Sequence, residues 1–182
     1  MSADAFATLD FPRRLVLSME EIEGRWRELS RESHPDSDSG DSDRAADVNR
    51  AYETLRSPGS RLRHWLELNA VEIPRNASID EDLMAQFTEI GSLLALADAF
   101  MAKKNAATSA IAKALIADEE FAVQKDVQNR MGHLKAQIEA ISDQFNAFEA
   151  DYVAAVRGLE KLRFLEKWNQ QCQERLVSIL SS

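Results

Sequence analysis

Histidine, cysteine and paired carboxylates are the residue types that could carry chemistry here, and in this sequence they are few and scattered. His34, His64 and His133 share no repeated ligand spacing. Cys172 is the only cysteine, so it can neither close an internal disulfide nor hold a zinc or iron–sulfur centre by itself. On a helical pattern a lone cysteine is most often a small buried hydrophobe. No nucleotide-cradling loop and no nucleophile set is recognisable. The segment that stands out is His34-Pro35-Asp36, and alone it has a plain local reading: proline ends a helix, aspartate turns the chain, and histidine caps the last carbonyls. The expectation is a binding protein rather than an enzyme, with no catalytic residue, no metal site and no cofactor.

The elements around that tripeptide are helical. Ser18 followed by Glu21 makes a capping box, and the helix it opens lines up Ile22, Trp26 and Leu29. On its outer side Glu21–Arg25 and Glu23–Arg27 are spaced four apart, as ion pairs on a helix require. Pro35 disfavours helical geometry in the residue before it, so this helix stops by His34. A polar tract over 37–43, with nothing apolar to bury, predicts a loop. Ala45, Val48, Tyr52 and Leu55 then mark a second helix closed by Ser57-Pro58-Gly59, and a short amphipathic piece carries Leu62, Trp65, Leu66 and Leu68. Ile73-Pro74 suggests a boundary, dividing the chain into domains 1–75 and 76–182.

Beyond the boundary the pattern predicts three helices. One carries Leu83, Phe87, Ile90, Leu94 and Met101. Another carries Val127, Met131, Leu134, Ile138, Ile141, Phe145 and Phe148, alternating steps of four and three as in a coiled-coil seam. The last buries Tyr152, Val156, Leu159, Leu162, Leu165, Trp168, Cys172, Leu176 and Ile179. Three such helices with short links make an antiparallel bundle, so the fold class is all-α. Six glycines and four prolines in 182 residues agree with long helices.

His34-Pro35-Asp36 between two amphipathic helices, followed by Asn49-Arg50-Ala51-Tyr52-Glu53-Thr54-Leu55, Ser57-Pro58 and Arg61, resembles the J domain, in which two antiparallel helices present His-Pro-Asp on their connecting loop. The resemblance implies that Asp36 pairs with an arginine of a DnaK-type ATPase while Pro35 fixes the loop and His34 orients it. Binding one conformation of that partner better would then promote its ATP hydrolysis. Family members carry basic residues on the preceding helix; here Arg25, Arg27 and Arg31 are interleaved with Glu23, Glu28 and Glu32. Ser33 and Ser37 stand where an aromatic and a lysine are common.

The J domain and the last helix, though not the middle of the chain, resemble the HscB-type J-domain co-chaperones of iron–sulfur cluster biogenesis, through Phe6-Ala7-Thr8-Leu9-Asp10-Phe11-Pro12, Arg61-Leu62-Arg63-His64-Trp65-Leu66 and the stretch from Leu159 to Lys167. The Gly/Phe-rich linker and cysteine-rich module of general DnaJ proteins are missing. The resemblance implies a DnaK/HscA-type chaperone and an IscU-type scaffold as partners, the scaffold held by the C-terminal bundle. It assigns that contact to Leu83, Met84 and Phe164, with Glu89 the one nearby acid where the family has several. Met84 and Phe164 also fall off the buried stripes, as interface anchors do, whereas Leu83 lies on one.

Composition bounds the rest. A formal charge of −9 argues against nucleic acid and anionic membranes as partners. The start, Met1 to Asp10, lacks an apolar or Arg-rich leader, and no apolar run reads as long enough to span a bilayer, so a cytoplasmic monomer is expected. The alternatives are a J-domain co-chaperone with another client, or a helical interaction protein whose His-Pro-Asp is only a turn.

Overall fold

The computed structural model describes residues 3–32, 42–74 and 80–181, and the regular structure among them is all helical. The chain forms two compact units. One gathers the residues up to 74 together with Ile141–Leu162; the other gathers residues 80–140 with the chain from Arg163 onward.

The first unit starts with a short helix α1 (Ala5–Thr8) capped by Asp4, whose carboxylate accepts the Phe6 N–H at 3.0 Å and the Ala7 N–H at 3.2 Å. Asp10 takes a left-handed φ of 57°, which aspartate tolerates, and the chain turns back so that the Phe11 N–H reaches the Phe6 carbonyl at 2.8 Å. A non-helical strap then leads to Ser18, where the expected capping box is formed: the Ser18 N–H donates to Glu21 and the Glu21 N–H donates to the Ser18 hydroxyl, each at 3.1 Å. These bonds hold the Glu21 carboxyl below its ordinary range. Helix α2 (Met19–Glu32) buries Ile22 and Leu29; α3 (Ser42–Arg56) buries Val48, Ala51 and Leu55 and packs on both α1 and α2. Ser57 ends α3 and caps α4 (Pro58–Leu68), accepting the Ser60 N–H, with Pro58 in the first turn where its missing N–H costs nothing.

Two residue types that rarely enter a core are buried on α4. Arg61 donates to the carbonyls of Leu15 at 2.9 Å and Leu17 at 3.0 Å. His64 accepts the Ala5 N–H on Nε2 at 3.0 Å and stacks on Phe6. That bond fixes the neutral ring with its proton on Nδ1. Trp65 donates its indole N–H to the Arg13 carbonyl. The opening segment and the Arg61–Leu66 stretch, far apart in sequence, are thus one buried assembly.

In the second unit, Asp80 caps α5 (Glu81–Ala106) by accepting the Leu83 N–H at 2.9 Å. Ion pairs set the register of α5 and α6 (Ala110–Ser142): Glu89 with Arg130, Lys103 with Glu119, Lys104 with Glu120. From Glu89–Arg130 to the Lys103 and Lys104 pairs the α5 number rises while the α6 number falls, so these helices are antiparallel. The later part of α8 (Tyr152–Ser181) runs parallel to α5, with Asp98 on Arg175 and the Lys104 ammonium on the Ile179 carbonyl. Leu83, Ile90, Ala97 and Phe100 of α5, Ile116, Val123, Val127 and Leu134 of α6, and Leu165, Trp168, Cys172 and Ile179 of α8 are buried.

Several expectations need correction. Tyr152 is not buried by the last helix but 45% exposed, and Ser42 and Asp43 open α3 instead of belonging to a loop. Phe87 is not on the buried stripe of α5: it is 58% exposed. The seam from Val127 to Phe148 is not one helix, because α6 stops at Ser142 and Phe145–Phe148 form a separate turn, α7. Asp143 and Asn146, poor helix formers, fall at that break, and Gln144 closes it by donating its N–H to the Ile141 carbonyl at 3.1 Å. Finally, by length and composition alone α5 is long and apolar enough to cross a bilayer, contrary to the reading that no run is. Few charges interrupt it between its acidic first turn and Lys103-Lys104. The core helix of a bundle passes the same test.

Candidate partner-binding surfaces

The antiparallel α2–α3 pair is held by residues of the Asn49–Leu55 motif. The Trp26 indole N–H donates to Asn49 Oδ1 at 2.9 Å, and the Trp26 ring stacks on Tyr52 with centroids 4.6 Å apart. Ala51 and Leu55 fill the interior, and the Arg56 guanidinium lies over the Tyr52 ring, 5.6 Å from its centre. At the other end Arg44 of α3 reaches Glu32 of α2 at 4.0 Å. The segment joining these two helix ends carries the tripeptide; His34, Pro35 and Asp36 lie outside the described residues.

The three arginines of α2 sit in different surroundings. Arg25 is pinned by Glu28 at 2.7 Å and by Asp10, and these carboxylates raise its already high pKa. Arg27 pairs with Glu23 at 3.3 Å, as its spacing predicted. Arg25 takes Glu28 and Asp10 rather than Glu21, because Glu21 is engaged in the capping box. Arg31 is exposed and has no ion pair among the described residues.

In the second unit Leu83 is buried at 4% exposure, while Met84 beside it is 51% exposed. Phe164 is half-buried and leans on Trp168, ring centroids 5.7 Å apart. The Asp98–Arg175 pair sets the register of parallel α5 and α8; about three turns back along both, Phe87 and Phe164 come level, with Met84 one turn earlier. Phe87 and Phe164 therefore share one level along α5 and α8, and Met84 stands a turn before Phe87 on α5. Phe87 was missed in the sequence because its four-residue step from Leu83 looked like core; its three-residue step from Met84 was the signal for the exposed face. Glu89 is exposed and paired with Arg130 at 2.6 Å.

Among the described residues no three His, Cys, Asp or Glu side chains are placed to hold a metal ion. Cys172 is free and buried, and burial pushes its thiol above the ordinary range against the pull of Arg130 and Arg175.

The architecture is thus a helical pair, α2 and α3, with His34-Pro35-Asp36 in the sequence between its arms, in a chain that continues into further long helices. Comparison with known proteins gives that architecture a particular form. The curated co-chaperone protein HscB of Proteus mirabilis (strain HI4320) is 32% identical over 96 residues, an alignment spanning 47% of this chain and 56% of that protein. Chaperone HscB from Vibrio cholerae matches in structure with a TM-score of 0.58 at 21% identity, over 94% of this chain and 96% of that one. Human co-chaperone protein HscB matches with a TM-score of 0.60 at 22% identity, over 95% and 82%. No family model matches the chain. The resemblance read from the residues is borne out in sequence over about half the chain and in fold over nearly all of it: the fold is that of HscB, a J domain with a helical bundle.

Proposed function

We propose that this protein is an HscB-type co-chaperone that stimulates the ATPase of a DnaK/HscA-type chaperone and delivers to it an IscU-type iron–sulfur scaffold, without covalent chemistry of its own and in the cytoplasm. The observation that carries this reading is the α2–α3 pair, antiparallel and locked through Trp26, Asn49 and Tyr52, with His34-Pro35-Asp36 on the segment that joins its arms. On this reading Asp36 accepts from a chaperone arginine, a charge-assisted bond, and the basic residues of α2 add attraction. Arg31 contributes most of that attraction, since Arg25 and Arg27 already have carboxylate partners. Residues 1–75 act on the chaperone and 76–182 on the scaffold, which seats on Met84, Phe87 and Phe164 while Leu83 holds that stretch of α5 from beneath.

The test is single-turnover ATP hydrolysis by a DnaK-type chaperone of the same organism with and without the chain. Acceleration by the wild-type protein, lost in His34→Gln with an unchanged helical circular dichroism spectrum, is the expected result. Equal stimulation by both would sink the assignment.

One observation favours a second reading with the same J domain and a different client. Met84 is followed by Ala85, Gln86, Phe87 and Thr88, and the first acid after it, Glu89, is already engaged by Arg130. Binding of a purified IscU-type scaffold, measured by calorimetry, separates the two.

A further inference from the structure

The strap that feeds α2 is fastened from two distant parts of the chain. Leu15 and Leu17 are buried, and Ser18 follows at once as the cap of the helix that carries Arg25, Arg27 and Arg31. Arg61 donates to the Leu15 and Leu17 carbonyls. The Leu15 N–H donates to the carboxylate of Glu149, a part-buried residue just after α7 and 134 positions away in sequence. Within the first unit the same region makes further contacts with residues before 74. The Arg61 guanidinium lies 5.8 Å from the centre of the Phe145 ring, Tyr152 and Trp65 rings meet at 5.6 Å, and the Tyr152 hydroxyl reaches Asn69 Oδ1 at 3.5 Å. Ile141–Leu162 clusters with the N-terminal residues, not with the bundle helices it connects.

A backbone amide in a buried strap has few ways to be satisfied, and a carboxylate acceptor makes a stronger bond than a neutral one. The bond fixes where the strap lies and hence where α2 starts. Helix α2 is continuous over its 14 residues, so a displacement at its root is carried to its far end, after which the sequence enters His34-Pro35-Asp36. The charge of Glu149 is used on this backbone donor, and neither its position on a turn nor its spacing marks it as functional in the sequence.

We infer that Glu149 is a positioning residue for the chaperone-facing surface: by holding the Leu15 N–H it sets the root of α2, and the working chaperone-facing unit extends beyond residue 75 to include Ile141–Leu162. This rests on the proposed co-chaperone function. The neutral glutamine keeps a carbonyl acceptor of the same reach, so Glu149→Gln retains the tie in weakened form, whereas Glu149→Ala removes it.

The experiment uses the full-length chain, its Glu149→Ala and Glu149→Gln variants, amide hydrogen exchange by NMR, and a titration of chaperone ATPase stimulation. Glu149→Ala should speed exchange of the Leu15 amide about tenfold or more. It should also raise the chain concentration needed for half-maximal stimulation several-fold, with the maximal rate little changed, because docking geometry and not the His-Pro-Asp chemistry is affected. Glu149→Gln should restore most of both, and amides of α5 should stay as protected as in the wild type. Faster Leu15 exchange with an unchanged titration overturns the positioning role. So does general loss of protection across both units, which would make Glu149 a fold residue only. A wild-type chain that does not stimulate at all sinks the co-chaperone reading instead, while the exchange data still decide whether Glu149 ties the strap.

Discussion

Asp4 does three things with one carboxylate: it caps α1 through two N–H groups, it pairs with Arg13 at 2.6 Å, and it lies 3.9 Å from the buried His64 ring. Burial alone would raise its pKa, but the Arg13 guanidinium and the Ala7 and Phe6 N–H groups together outweigh it and hold the carboxyl below its usual 3.8. A depressed carboxylate stabilises the fold fully above its unfolded value and loses that contribution as pH falls through its lower folded value. Stability should therefore decline on acidification below about pH 4, and Asp4→Asn, which keeps an oxygen for the cap but not the charge, should flatten that part of the profile. Asp4→Ala should cost about 1 kcal/mol at neutral pH through the lost cap alone. Urea midpoints measured across the acid range check both. Cys172 offers a second test at this scale. Its thiol is fully buried and its pKa raised, so it should resist alkylation in the native protein and react on unfolding. Cys172→Ser, which buries a hydroxyl in place of a weak donor, should destabilise by roughly 1–3 kcal/mol in denaturant titration. Rapid native labelling would mean that the α8 core opens far more readily than its packing implies.

At the scale of elements, α8 and α7 approach so closely that a glycine is required. A Cβ on Gly158 would stand 2.6 Å from the Phe148 ring, which is itself buried. Alanine at a helix interior ordinarily gains about 1 kcal/mol over glycine. Here overpacking opposes it at typically 1–3 kcal/mol, so Gly158→Ala should lower the melting temperature despite its better helix propensity. A rise in melting temperature would mean that Phe148 moves aside freely. This glycine was not legible in the sequence, where it sat beside the Leu159 and Leu162 stripe with no sign of a neighbour. Helices with one apolar face and definite caps were legible: Ser18 and Glu21 announced α2, and Val48, Tyr52 and Leu55 gave the inner face of α3. Helix α5 was harder, because its apolar residues occupy more than one face. The step from Leu83 to Phe87 and the step from Met84 to Phe87 are both helical, and only tertiary packing decides which is inside. Arg61 and His64 read as surface residues by type. Their burial depends on carbonyls and an N–H presented by a strap some 45 to 60 residues earlier, and no local pattern reports that.

For the whole molecule, the proposed function requires two activities that fail independently, and this separates an interface from a core at Met84, Phe87 and Phe164. Met84 and Phe87 are more than half exposed, so truncating each to alanine should cost no more than about 0.5 kcal/mol. Phe164 is half-buried against Trp168 and should cost about 1 kcal/mol, the scale of one aromatic contact. The triple variant should then melt within roughly 8 °C of the wild type, since about 1 kcal/mol moves a domain of this size by 2–4 °C. Scaffold affinity should fall by about thirtyfold or more, because losing buried anchors at an interface typically costs ~2 kcal/mol or more. Stimulation of the chaperone ATPase without scaffold should remain near the wild-type level, because none of the three side chains belongs to the unit that carries α2 and α3. If these residues were core, the order would reverse: stability would drop by 3 kcal/mol or more at a phenylalanine position and both activities would fall together. A stable triple variant that still binds the scaffold would move the client surface elsewhere on the bundle.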